Sequence, residues 1–392
     1  MSKDLSLSEF DLKLLRGGPL YSLLVKARIA RPGLAGIVLR ILFLACLTWM
    51  PLAAITVLSG TFLTSTLKVP FIYDFAELCR FLFVLPLLIA AEAIVEPWLG
   101  HVMAHCRTLT AEADLEKFKH NIVLALRSRD SITIELVIVL LAFIRPHLGG
   151  LELSSSTSSW RTITNAAGVE PTTAFLWYLY VAKPLISLLW FRWLWKYIIW
   201  SQLLFRTSKL TLRVTPTHPD RMGGLGFIAV AQTRFAILYF AIATQVASYV
   251  GEEIVFEGAK LFSFKYLILT LVLVAPVIFL TPCLAFSGKL LKAKRKGLLE
   301  YGALADQYTK EFHEKWIEGK RSDNEVLMGS SDIQSLADLA NSFTVVQTMK
   351  SAIISKTTIM TFALASLLPF APLLLTVYPF DELLSRLVKM VL

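Results

Sequence analysis

Seven apolar stretches, each about as long as a bilayer is thick, are joined by connections alternately rich and poor in Lys and Arg. They run over residues 36–58, 76–97, 132–150, 173–195, 226–250, 263–287 and 357–378. A helix needs about 20 apolar residues to cross a hydrocarbon core of roughly 30 Å. Inside that core every backbone polar group must be satisfied, which a helix does within one segment. The ten-residue alternation of a membrane β-barrel does not occur in the sequence. The expected fold is therefore all-α, a polytopic membrane helical bundle of about seven transmembrane helices with a cytoplasmic helical layer. Composition agrees: of 392 residues, 55% are hydrophobic and 17% charged. A mean hydropathy of +0.62 is too high for a soluble globule of this size.

Charge sets the orientation. Lys3, Lys13, Arg16, Lys26, Arg28 and Arg31 precede the first stretch, whereas Lys68 alone follows it. The amino terminus is thus expected in the cytoplasm. Arg107, Lys117, Lys119, Arg127 and Arg129 fall on the next inner connection, and Arg161 alone on the following outer one. The acidic Gly251-Glu252-Glu253 segment reads as an outer turn, and Lys289, Lys292, Lys294, Arg295 and Lys296 open the longest inner connection. Anionic lipid at the inner surface accounts for the net charge of +10 and is the expected partner, whereas nucleic acid is not. With 35 residues ahead of the first span, no cleaved secretion signal is expected.

The whole chain, 1–392, reads as one membrane domain with a cytoplasmic helical insert at 289–352. The second span is expected to continue to about residue 125, bent at Pro97, and the fourth to about Arg206. Leu20, Leu23, Leu24 and Ala27 mark a short basic helix before the first span. In the insert, Leu304, Tyr308, Phe312 and Trp316 share one helix face, which needs a partner: the other helix extensions or a second copy of the chain. Ser331 and Gln334 suggest a capping box for a further helix, with Ile333, Leu336, Leu339 and Ala340 as its buried stripe. Pro369 and Pro372 break the last span, so residues 357–378 either cross or turn back. The Ser/Thr-rich run 154–159 reads as an exposed connection, and Phe380 to Val391 as an apolar stripe lying on a membrane face. Trp177, Tyr178, Tyr180, Trp190, Trp193, Trp195 and Trp200 read as an interfacial belt rather than a stacking site for a ligand.

Charged residues inside spans are the sharpest functional signal, because each costs a few kcal/mol unless it faces protein or water. Glu77 and Arg80 lie near the outer mouth of span two, Arg145 toward the outer end of span three, and Lys183 near the middle of span four. Glu92, Glu96, Glu135, Gln232 and Arg234 lie nearer the inner side. Two readings are open: a polar path narrowing at Lys183, with an inner vestibule at Glu92, Glu135 and Arg234, or pairs that hold helices in register. Pro86, Pro184, Pro276 and Pro369 place breaks in four spans, as in helices that line cavities.

Ahead of span five, Arg213, His218, Asp220, Arg221, Gly223 and Gly224 form a turn that either presents backbone donors to a phosphate or lipid headgroup, or stitches elements together. His218 and Asp220 also suit an acid and base pair. His101 and His105, spaced i, i+4, lack a third ligand, and the four cysteines show no metal or disulfide spacing, so neither metal nor cofactor is expected. No catalytic residue set is identified.

The His218-Pro219-Asp220-Arg221 turn with Gly223, Gly224 and Gly226, and the run from Gly329 to Ser342, resemble segments of bacterial multi-spanning membrane proteins of unassigned function. The resemblance implies a bacterial inner-membrane protein and carries no activity. The functional expectation is a channel or transporter for a small ion or solute, an anion being suggested by Lys183 and Arg234. Its alternatives are a lipid-binding protein or enzyme at the His218-Asp220-Arg221 turn, and a non-transporting scaffold or signalling component.

Overall fold

The computed structural model describes residues 12–148, 158–165, 168–320 and 330–377. The expected C-terminal stripe at 380–391 and most of the Ser/Thr run lie outside these residues.

Among the described residues there are eleven helices: α1 (Pro19–Lys26), α2 (Gly33–Leu58), α3 (Phe75–Leu109), α4 (Leu115–Arg129), α5 (Ile132–Leu148), α6 (Thr173–Ser208), α7 (Gly226–Glu257), α8 (Leu261–Leu284), α9 (Ser287–Trp316), α10 (Ser331–Gln347) and α11 (Lys356–Thr376). Six of them, α2, α3, α6, α7, α8 and α11, are long and apolar enough to cross a membrane. The expected third span is α5, whose 17 residues extend about 26 Å. It packs along α6, and Leu136, Leu140 and Phe143 remain exposed on its outer side.

A polar outer layer is missing from most of this surface. Leu269, Leu273, Val277 and Ile278 on α8 are 52, 59, 67 and 49% exposed, a pattern that belongs against lipid rather than water. α2 packs on α3 and α6, α3 on α6 and α7, and α11 on α7 and α8.

The two ends differ. At one, strands β1 (Thr162–Asn165) and β2 (Gly168–Pro171) form an antiparallel hairpin where the sequence indicated only a connection. Beside it, Val69 pairs with Ser159. At the opposite, basic end, residues 12–18 fold back under the bundle, with Leu14 and Leu15 fully buried. α9 and α10 form a helical hairpin there.

Four expectations are corrected. α3 does not run on to residue 125: it stops at Leu109, where Thr110 bridges to Leu212, and α4 starts afresh at Leu115. Gly251, Glu252 and Glu253 are not a turn but the last turns of α7. The partner of the Tyr308 and Trp316 face is α10 itself: Tyr308 donates to the Asp332 carbonyl (3.1 Å) and Trp316 Nε1 to the Asp332 carboxylate (2.9 Å). No capping box forms at Ser331, since Gln334 turns to Asp338 at 2.9 Å, and Ile333 is 45% exposed.

The prolines act as the sequence indicates in α11, which changes from α-helix to a tight 3₁₀ form over Leu368–Thr376. In α3 and α6 they act differently. A wide π-turn precedes each one, Arg80–Val84 before Pro86 and Tyr178–Ala182 before Pro184. Pro97 is carried within α3 without ending it.

The Gly223–Gly224 turn is wedged between α9 and the residues after α10. Gly223 sits at φ 67°, and a Cβ there would press on Val214, Met349 and Leu290. Gly223→Ala is expected to cost about 1–3 kcal/mol, read as a lowered unfolding midpoint of the detergent-solubilised protein.

Candidate functional site

The charges within the spans gather into two groups, one at each end of the bundle. Along α3 they are separated by residues 81–91, all apolar, a rise of about 18 Å between Arg80 and Glu92.

The basic-end group centres on Glu92. Its Oε2 accepts from Arg40 Nη1 of α2 at 2.5 Å, and its Oε1 from Lys196 Nζ of α6 at 2.8 Å. Arg192, one turn before Lys196, points its Nε at Glu135 of α5 (3.6 Å) and donates to the Gly17 carbonyl (3.3 Å). Glu96 accepts from the Leu15 and Arg16 amides at 2.8 and 2.6 Å and so holds the N-terminal segment in place. Arg40, Arg192 and Lys196 are all buried.

This group opens into a small cavity of about 50 Å³ whose wall is formed by α1, the segment after it, α2, α3 and α6. Arg40, Arg192, Lys196 and Glu92 make its charged part; Leu24, Ile29, Phe43, Leu44 and Leu189 are among its apolar part. A second cavity, of about 20 Å³, reaches Arg192 and Lys196 from the side of Glu135 and Arg129.

The hairpin-end group is denser. Glu77, buried, accepts from the Tyr178 hydroxyl at 2.6 Å and from Arg80. Arg80 also donates to Tyr178 (2.7 Å) and to Gln245 (3.1 Å). Asp74 caps α3 through the Glu77 amide (3.0 Å) and accepts from Trp160 Nε1 (2.9 Å) and Arg161 Nη2 (2.7 Å). Burial pushes the Asp74 carboxyl up, but the Arg161 guanidinium and these donors outweigh it and hold it below the usual range. Glu252 of α7 accepts from the Ala76 amide at 3.0 Å. The two π-turns thus begin at Arg80 and Tyr178, the very residues that bind each other.

The expected ladder is redistributed accordingly. Glu92 and Glu135 do lie together, but Arg234 is apart from them, exposed, with its guanidinium 4.3 Å from the Trp98 ring centre. Arg145 donates to Ser187 at 3.1 Å rather than joining Glu77 and Arg80. Lys183 is half-buried, its ammonium 5.4 Å from the Tyr178 ring centre. Gln232 is a structural knot: fully buried, it accepts from Trp200 Nε1 (3.1 Å) and donates to the Tyr197 hydroxyl (3.2 Å) and the Phe279 carbonyl. The tryptophans likewise act as interhelix donors, Trp193 to the Leu88 carbonyl (2.9 Å) and Trp177 to that of Leu47 (3.2 Å).

At the glycine turn the donors are already taken. Asp220 accepts from the amides of Met222 (2.7 Å), Gly224 (3.2 Å) and Gly226 (2.8 Å), and His218 Nδ1 lies 2.9 Å from its carboxylate. Stitching is what this turn does, and those three amides are not available to an outside phosphate. Arg221, at φ 54°, offers its carbonyl to the Lys350 amide at 2.8 Å, which ties the turn to the chain after α10. His101 and His105 stack edge-on with Trp98 and Phe227, and no metal-binding group of three or more side chains occurs among the described residues.

Sequence reading missed Arg40, Arg192, Lys196, Asp74, Glu252 and Tyr178. A signal existed for Arg192 and Lys196: they share the i, i+4 spacing of Glu92 and Glu96 on the neighbouring helix, which puts each pair on one face. Comparison with protein-family models, curated proteins and solved structures finds no match to this chain.

Gln232→Leu strands the buried Trp200 N–H, while the Tyr197 hydroxyl keeps its bond to the Ile278 carbonyl (2.9 Å); at roughly 1–3 kcal/mol for the group left unpaired, a fall in thermal midpoint is expected. For Asp220, burial raises the carboxyl, but the amides of Met222, Gly226 and Gly224 and the nearby His218 lower it further, leaving it below the ordinary value. Its stabilisation is present at neutral pH and fades as pH falls through that lowered value. Asp220→Asn is therefore expected to be less stable than wild type at pH 7, with the gap closing below about pH 4 in unfolding measured across pH.

Proposed function

We propose that this protein is a multi-pass transporter of the bacterial inner membrane that carries a small anion, with the amino terminus and the basic end in the cytoplasm. The observation that carries the reading is the cavity in which Arg40, Arg192 and Lys196 meet a single carboxylate, Glu92, on its wall. Three buried cations among spanning helices are costly to keep. A site that exchanges one internal carboxylate for a visiting anion makes use of them. Glu92 serves as the resident counter-ion, holding Arg40 and Lys196 in position between visits.

Two further features support movement. α3 and α6, which supply Glu92 and the Arg192–Lys196 pair, are the helices with π-turns ahead of a proline, and such turns gather at functional sites. The Lys and Arg bias supports a cytoplasmic side for the cavity.

One observation favours a second reading, a non-transporting scaffold. Glu77, Glu92, Glu96 and Glu135 each already have a cationic or backbone partner, as in a bundle fastened by ion pairs.

Purified protein in liposomes separates the two. A panel of inorganic and small organic anions is expected to include at least one whose uptake exceeds that of protein-free vesicles, and Lys196→Met is expected to lower that uptake at least tenfold while its thermal midpoint stays measurable. No uptake of any anion, or equal uptake by Lys196→Met, overturns the transporter reading and leaves the scaffold.

A further inference from the structure

The cavity beside Glu92 has two chemically different halves, and an inorganic anion uses only one of them. Its charged half has unspent donors. Lys196 makes one hydrogen bond among the described residues, to Glu92, of the three an ammonium can give. Arg40 commits Nη1 to Glu92 and Nε to the Gly36 carbonyl at 3.4 Å, of the five N–H donors of a guanidinium.

The other half is oil-like. Leu24 and Ile29 from α1 and its following turn face Phe43 and Leu44 of α2. Phe43 is 39% exposed on a spanning helix, so the rim opens toward the bilayer rather than toward the bundle axis. Lys26 at the end of α1 and Arg28 and Arg31 on the chain between α1 and α2 are all exposed and close in sequence to the Leu24 and Ile29 wall, and basic residues beside a membrane surface attract anionic lipid.

We propose that the occupant of this cavity is an anionic membrane lipid, its phosphate seated beside Lys196 and Arg40 and one acyl chain passing between α1 and α2 into the bilayer. This shares its site with the transporter reading and names a lipid that the site holds, distinct from the small anion of that reading. Entry is lateral, from the inner leaflet of the membrane. Charge complementarity selects the head, and the Leu24, Ile29, Phe43 and Leu44 wall accepts the chain.

Trp193 reports on occupancy, because its ring lines the cavity with the Lys196 ammonium 5.8 Å from its centre. The full-length protein is reconstituted into vesicles containing brominated phosphatidylglycerol or brominated phosphatidylcholine, and the quenching attributable to Trp193 is taken as the difference between wild type and Trp193→Phe. The expected result is at least threefold more Trp193 quenching by the brominated phosphatidylglycerol, reduced to the phosphatidylcholine level in Lys196→Met, restored in Lys196→Arg, and unaffected by millimolar inorganic phosphate. If Trp193→Phe is poorly folded, native mass spectrometry of wild type and Lys196→Met gives the same answer as the number of co-purified anionic lipids. Equal quenching by the two lipids, or by wild type and Lys196→Met, overturns the proposal. Full displacement by inorganic phosphate overturns it too, in favour of a free-anion site. Lipid selectivity without any flux leaves the lipid site standing and removes the transporter reading; flux without lipid selectivity does the reverse.

Discussion

A single carboxylate fastens three membrane-spanning helices. Glu92 of α3 is shared between Arg40 of α2 and Lys196 of α6, and each of these ions alone in a low-dielectric interior is costly enough to displace its helix toward water. Their mutual neutralisation lets all three helices keep charged groups at a depth where lipid supplies no partner. The same helix continues one turn on to Glu96, which binds the backbone of Leu15 and Arg16. The N-terminal segment is therefore seated by the arrangement that closes the bundle.

Most of the other buried polar side chains follow this economy of one group serving several elements. Tyr178 joins Glu77 and Arg80 across α6 and α3; Gln232 of α7 joins Trp200 and Tyr197 of α6 and the Phe279 carbonyl of α8. Helices in lipid gain little from hiding apolar area from each other, so polar contacts and close packing decide their order. What distinguishes the Glu92 group is the space beside it. The hairpin-end group lies against Phe71, Trp160 and Phe175, whereas the basic-end group faces a cavity with donors to spare.

Much of the fold was legible in the sequence because lipid is a strict solvent. Six of the expected spans appear as long apolar helices, and the seventh as the shorter α5. The break at Pro369 and the short helix before the first span also follow from local rules. The sites were less legible, since a charge within a span shows only that a partner exists. Lys183 and Arg234 drew attention by depth alone, yet one lies beside an aromatic ring in the bundle and the other against Trp98 at an exposed position. Arg192 and Lys196 were hidden because they lie toward the basic end of a helix rich in tryptophan, where a membrane-interface explanation suffices. The β-hairpin was missed because its strands are only four residues each. The glycine turn reads equally well as a phosphate cradle or as a stitch until Asp220 is seen to fill it.

A π-turn is an α-helix carrying one surplus residue. Each of the two here offsets the helical phase of everything before it by one position, about 100° of rotation, relative to an uninterrupted helix. The chain thereby aims Arg80 and Tyr178 at each other while Glu92 and Lys196, farther along the same two helices, also meet. Two helices in ordinary phase satisfy one such meeting without constraint on the other. Losing one residue from Arg80–Val84 or from Tyr178–Ala182 regularises the helix instead of breaking it, at the expense of one end's alignment. A one-residue deletion at either place thus shifts one end of the bundle out of register and leaves the other end aligned.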